Sequence, residues 1–282
     1  MSLRPIILAA LALLALATPG AARELGTAPD LRILGFSSDG RYFGFEQEGG
    51  DGASQRGAFA VDVVDRTTGL SATGFPRGAT QLSWQATPAD ARHAAMRGFR
   101  FDEDDEASMQ TPAIRRWTQA TTRRPLRRLG LTEPGRRLAG RTWTDLTRME
   151  GPVRFMADPD IIGAHPGLST KYAVVARLTA PDDPNLACRE RETAATYPLA
   201  VTLTPELPSW DPEAARRSPE TFRERTIELT YMLPPMTCAT SVHITDVYRN
   251  RASTTLAVVV LIIADSGHSD SAEYRAVMFP MR

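Results

Sequence analysis

Eight consecutive apolar residues, Leu256 to Ile263 (LAVVVLII), constrain the fold of this 282-residue chain more than any other stretch. The run is far shorter than the roughly 20 residues a membrane-spanning helix needs. A half-exposed strand would alternate apolar with polar residues, and this one does not, which predicts a central strand covered on both faces. The C-terminal part is therefore core. That strand is read as Thr255–Ala264, and further strands are predicted around it at Tyr172–Leu178, Tyr197–Thr204, Arg225–Leu233, Ser241–Tyr248 and Glu273–Phe279.

A second strand-rich region lies near the N-terminus. In ILGFSSDGRYFGFEQ, Ile33 to Gln47, an Asp39-Gly40 turn is flanked by Phe36, Tyr42, Phe43 and Phe45. Glycine supplies the positive φ of a tight turn and aromatics suit a pleated surface, so the stretch predicts a hairpin. Another strand is expected at Gly57–Asp65, ended by Thr67-Thr68-Gly69, with the Gly-rich segment between them as a long hairpin loop.

The middle of the chain has a different texture. Four Xaa-Pro pairs, at Thr87, Thr111, Asp211 and Ser218, look like capped helix starts. The first helix should reach about Met96. The second should carry Ile114 and Trp117 on one side and end near Gly130, with Pro125 bending or breaking it. The fold class expected is α+β, predominantly antiparallel β with a few short helices. The alternative is an irregular or partial β-propeller-like all-β fold, which at roughly 40–45 residues per blade would need more repeats than the chain displays.

Residues 1–22 read as a signal peptide, with Arg4 before the apolar run Ile6–Ala17 and small residues Gly20-Ala21-Ala22 for cleavage. Residues 23–282 then form a single β-rich domain with a helical middle segment at about 87–130, in the periplasm or secreted, without a transmembrane segment in the mature chain. Basic and acidic residues number 33 each, and removal of Arg4 leaves a net charge of −1. No bulk field draws the protein to nucleic acid, which is not expected as a partner. The two cysteines, Cys188 and Cys238, form an even count in an exported chain and so favour a disulfide over two buried thiols. Closing that loop is worth about 4 kcal/mol in the chain-entropy model.

Beyond these readings, GFSSDGRYFGFEQ resembles the start of an uncharacterised family of secreted bacterial proteins, a domain of unknown function, and more distantly single blades of Tol-type periplasmic propellers. RRLGL, ACRERETAATYPLAVTL and LPPMTCATSVHITDVY extend the family resemblance over most of the mature chain. Cys188 and Cys238 fall where the resemblance implies cysteines. The chain departs from the family pattern after Glu46, at GGDGASQRG, and near its end, at SGHSDSAEYRAV. The resemblance implies no activity.

No catalytic, cofactor-binding or metal site is predicted. GFSSDG lacks the spacing of a nucleophile elbow, and turn geometry accounts for Asp39. His165 near Asp158 and Asp160, and His268 near Asp265 and Asp270, are read as polar loops, while His243 is read as a solvent-facing strand residue. The acidic run Asp102–Glu106 lacks calcium-loop spacing. Arginines between Arg115 and Arg128 could grip phosphate or carboxylate. The expectation is a noncatalytic protein that binds an envelope protein or surface component through its loops. The alternative is a periplasmic hydrolase whose site assembles only in three dimensions.

Overall fold

The structure is a computed structural model and describes residues 28–50, 57–80, 111–141, 151–157, 170–178, 195–206, 213, 216, 220, 222–233, 238–252, 254–265 and 270–281. The signal segment 1–22, the helix expected from Thr87 and most of the two expected from Asp211 and Ser218 lie outside these residues.

In chain order the first elements are β1 (Asp30–Ser37), β2 (Tyr42–Gly50), β3 (Gly57–Asp65), β4 (Leu70–Ser71) and β5 (Arg77–Thr80). Next come the helix α1 (Thr111–Leu129), β6 (Leu131–Glu133) and β7 (Arg136–Gly140). The chain continues through β8 (Val153–Met156), β9 (Lys171–Leu178), β10 (Ala195–Glu206) and β11 (Arg225–Leu233). It closes with β12 (Cys238–Arg249), β13 (Thr255–Asp265) and β14 (Asp270–Pro280). Three antiparallel sheets result. The first has the order β4-β3-β2-β1-β6 with β5 also on β3, the second β11-β10-β9-β8, and the third β14-β13-β12-β7.

The apolar run forms the middle of β13, and its two faces enter two different cores. Leu256, Val258, Val260 and Ile262 pack with Val174, Leu199, Val201 and Leu203 of the second sheet. Ala257, Val259 and Leu261 pack with Phe36, Phe43, Phe45 and Val64 of the first. The third sheet is thus a middle layer. Each valine, leucine or isoleucine so buried contributes about 1.5–3 kcal/mol relative to exposure, which accounts for an uninterrupted apolar run where alternation is usual.

A third core lies on the outer side of the first sheet, where Phe59, Val61 and Val63 of β3 meet Leu126 and Leu129 of α1. The helix continues through Pro125 to Leu129 instead of breaking there, with Gly130 at a φ of 62° after its end. A proline deletes one helical hydrogen bond, but the leucines on either side of this turn's end are packed and hold it. Among the described residues α1 is not apolar enough to cross a membrane, and no other helix is long enough.

The sheets stack face to face, as propeller blades do. Their order differs, however, because the sheet completed last in sequence lies between the other two. Among the described residues no closed barrel or propeller forms.

The Asp39-Gly40 turn joins β1 to β2 as expected. Ser37 Oγ donates to Asp39 Oδ1 at 2.5 Å, the Arg41 amide donates to the same oxygen at 3.0 Å, and Gly40 takes a φ of 65°. Pairing of β2 with β3 runs to Gly50 opposite Gly57, so the connecting loop is shorter than the sequence suggested. Gln47 of β2 reaches the third sheet, where its Oε1 accepts from the Tyr274 amide at 2.8 Å and its Nε2 donates to the Tyr274 carbonyl at 3.4 Å.

Candidate functional site

The alternation of β3 sends Phe59, Val61 and Val63 to the helix side and Asp62 to the opposite side, toward the third sheet. A carboxylate is thereby placed in the interior, 3% exposed. A polar group so placed must be partnered. Oδ1 accepts from the Val63 amide at 2.8 Å, Oδ2 accepts from Ser71 Oγ at 3.1 Å, and Arg275 Nη1 of β14 lies 3.9 Å from Oδ2. Burial pushes the Asp62 carboxyl above the ordinary carboxylate range, opposed by Ser71, Arg275 and the Val63 amide.

Arg275 links this carboxylate to a second one. Its Nη2 lies 2.8 Å from Glu273 Oε1, and Glu273 Oε2 accepts from the Tyr231 hydroxyl of β11 at 3.0 Å. The guanidinium also sits over the Tyr231 ring, 5.4 Å from its centroid, a cation–π arrangement. Arg275 Nε is buried and has no hydrogen-bond partner among the described residues. Burial, then the Glu273 charge, pushes the Tyr231 hydroxyl far up, so it stays a donor at neutral pH.

Asp62, Ser71, Tyr231 and Arg275 line a cavity of about 160 Å³ where β3 and β4, β11 and β14 come together, one strand group from each sheet. Leu70 stands at its rim, 59% exposed, the one large hydrophobic residue exposed to that degree among the described residues. A cavity lined by polar Asp62, Ser71, Tyr231 and Arg275 together with apolar Val64, Leu199 and Leu229 suits recognition of a group with donors and acceptors attached to an apolar body. Within the set the Ser71 hydroxyl is held by the Asp62 carboxylate, and no histidine or cysteine joins them.

His243 of β12 is half-buried, not solvent-facing, and its Nε2 lies 3.0 Å from Ser241 Oγ. Burial, then the Arg141 charge, lowers its pKa, so the ring is neutral at pH 7. His165, His268, Asp158, Asp160 and the acidic run Asp102–Glu106 lie outside the described residues, as does Cys188. Cys238 begins β12 and is buried, and no free cysteine occurs among the described residues. Among those residues no three His, Cys, Asp or Glu side chains gather as metal ligands.

A larger opening of about 430 Å³ is lined by Glu133, Arg136, Arg249, Asn250 and Arg251. Its arginine chemistry is partly committed to the fold, because Arg249 Nη1 donates to the Ala157 carbonyl at 2.6 Å.

Sequence reasoning missed Asp62, Ser71, Tyr231, Glu273 and Arg275, which come from four strands. One signal was present: AVDVV places an aspartate in a strand whose neighbours are apolar on both sides, and a buried charge is more informative than any exposed one. No family model matches the chain, and no curated protein or solved structure matches it.

Proposed function

We propose that this is a noncatalytic binding protein of the bacterial envelope, exported by residues 1–22 and related to the secreted family its first hairpin resembles. It takes a polar group of an envelope protein or surface component into the cavity around Arg275. The observation that carries this reading is the relay Ser71–Asp62–Arg275–Glu273–Tyr231, built at a junction of three sheets beneath the exposed Leu70. Buried polar networks are costly, and a core made only for stability would favour apolar residues here. The Cys188–Cys238 bridge belongs to the same proposal, as a staple for an exported fold.

The second reading, a hydrolase, draws on the Ser241–His243 contact at 3.0 Å. A photo-crosslinking residue at position 70 separates the two. Crosslinking to one defined envelope component, weakened by Tyr231→Phe or Arg275→Lys, is the expected result. Esterase or amidase activity abolished by Ser241→Ala, with no crosslink at position 70, would overturn it.

A further inference from the structure

The helix α1 contains no acidic residue, and six of its positions are arginine. Arg115 is used by the fold: it pairs with Glu48 of β2 and lies over the Phe59 ring, 5.8 Å from its centroid. Arg116, Arg123, Arg124, Arg127 and Arg128 are exposed, and none forms an ion pair among the described residues. At roughly 100° per residue these five fall within an arc of about 140°. The buried Thr118 and Thr122, with Leu126, lie on the opposite side, against the first sheet.

Among the described residues no side chain pairs with this face. Arg127 and Arg128 sit in the last turn, where positive charge complements the helix dipole. Arg116, Arg123 and Arg124 have no such reason. Arg123 with Arg127 and Arg124 with Arg128 are like-charge pairs four residues apart, which weaken a helix. With equal numbers of basic and acidic residues in the chain, the charge is local to this face.

We infer that the outer face of α1 docks on the phosphate plane of an anionic lipid surface. Guanidinium groups pair phosphate in two-point contacts, and a single-sign stripe about 18 Å long matches a surface of repeating phosphates. A protein partner would instead offer mixed charge and an apolar centre. This contact is independent of the cavity around Arg275.

The test is co-sedimentation of the full mature chain with vesicles of phosphatidylglycerol and phosphatidylcholine, against phosphatidylcholine alone, at low and high salt. The chain should bind the anionic vesicles only, and salt should release it. Each arginine near such a surface is worth about 1 kcal/mol, about fivefold, so Arg123→Gln, Arg124→Gln and Arg127→Gln together should weaken binding about 100-fold. The corresponding lysine triple should stay within a few-fold of the parent, which shows that the fold tolerates change on this face. Absence of binding at low salt, equal binding to neutral vesicles, or undiminished binding by a folded glutamine triple would each overturn the inference. So would binding that appears only after Asp102–Glu106 is neutralised, since that run would then be the occupant of the face.

Discussion

Thr255 donates its hydroxyl to the Gly40 carbonyl at 3.1 Å, joining the turn of the first hairpin to the β12–β13 turn 215 positions away. The second turn is organised by the buried Asn250, whose Oδ1 accepts from the Thr254 and Thr255 amides, both at 2.9 Å. A Cβ added at Gly40 would lie 2.6 Å from Asn250 Nδ2 and 3.0 Å from Thr255 Oγ1. Turn conformation and close approach therefore both demand glycine.

Gly40→Val should cost at least about 1–3 kcal/mol, because a β-branched residue at positive φ also displaces Asn250. Asp39→Asn should cost under about 1 kcal/mol, since an amide oxygen can accept from Ser37 Oγ and the Arg41 amide in the same way. Urea denaturation of both variants checks the contrast. Partner binding lost in Asp39→Asn at unchanged stability would make the turn a site.

Two aspartates of β3 should respond to pH with opposite signs. The Arg41 guanidinium, bonded to both oxygens of Asp65, lowers its pKa from 3.8 to about 2. Its contribution is present above about pH 4 and lost as pH falls through about 2. Asp62 is raised by burial, so the folded state favours its protonated form and stability falls as pH rises through its folded pKa. Melting curves from pH 2 to 8 should show a shallower acid loss for Asp65→Asn, and at pH 7 no loss of melting temperature for Asp62→Asn.

Leu256 and Leu261 are both fully buried, one on each face of β13. Either replacement by alanine should cost about 2–5 kcal/mol, depending on how far the cavity collapses. If the two cores unfold together, each variant shows one urea transition seen alike by fluorescence and circular dichroism. Two separated transitions would show that the cores are independent.

Free-thiol labelling of the denatured, unreduced mature protein should find no thiol, if Cys188 and Cys238 are joined as proposed. Two labelled thiols per chain would remove the bridge.

Much of the frame could be read from the sequence because its signals are local. Val258 and Val259 both declare themselves buried by lying in an unbroken apolar run, and Gly40 declares a turn by following Asp39. The stacking order could not be read. Nothing in the residues of β13 states that its even positions meet Val201 and its odd positions meet Phe43. The cavity was hidden for the same reason, since Asp62 and Arg275 are brought to 3.9 Å by sheet packing across most of the chain. Of the two outcomes expected at Pro125, bending or breaking, a break does not occur, because its local cost is outweighed by the nonlocal burial of Leu126 and Leu129.

Among the described residues β14 ends the third sheet, and a strand at such a border invites a strand from another molecule. Gln47 answers this at Tyr274 with one side-chain amide, which presents the donor and acceptor that a neighbouring backbone would. Glutamine is thus acting as one residue of a missing strand. At Tyr274 resistance to edge-to-edge self-association then draws on a side chain from a different sheet. Loosening the first sheet from the third would uncover a template for chain-to-chain growth before either sheet had unfolded.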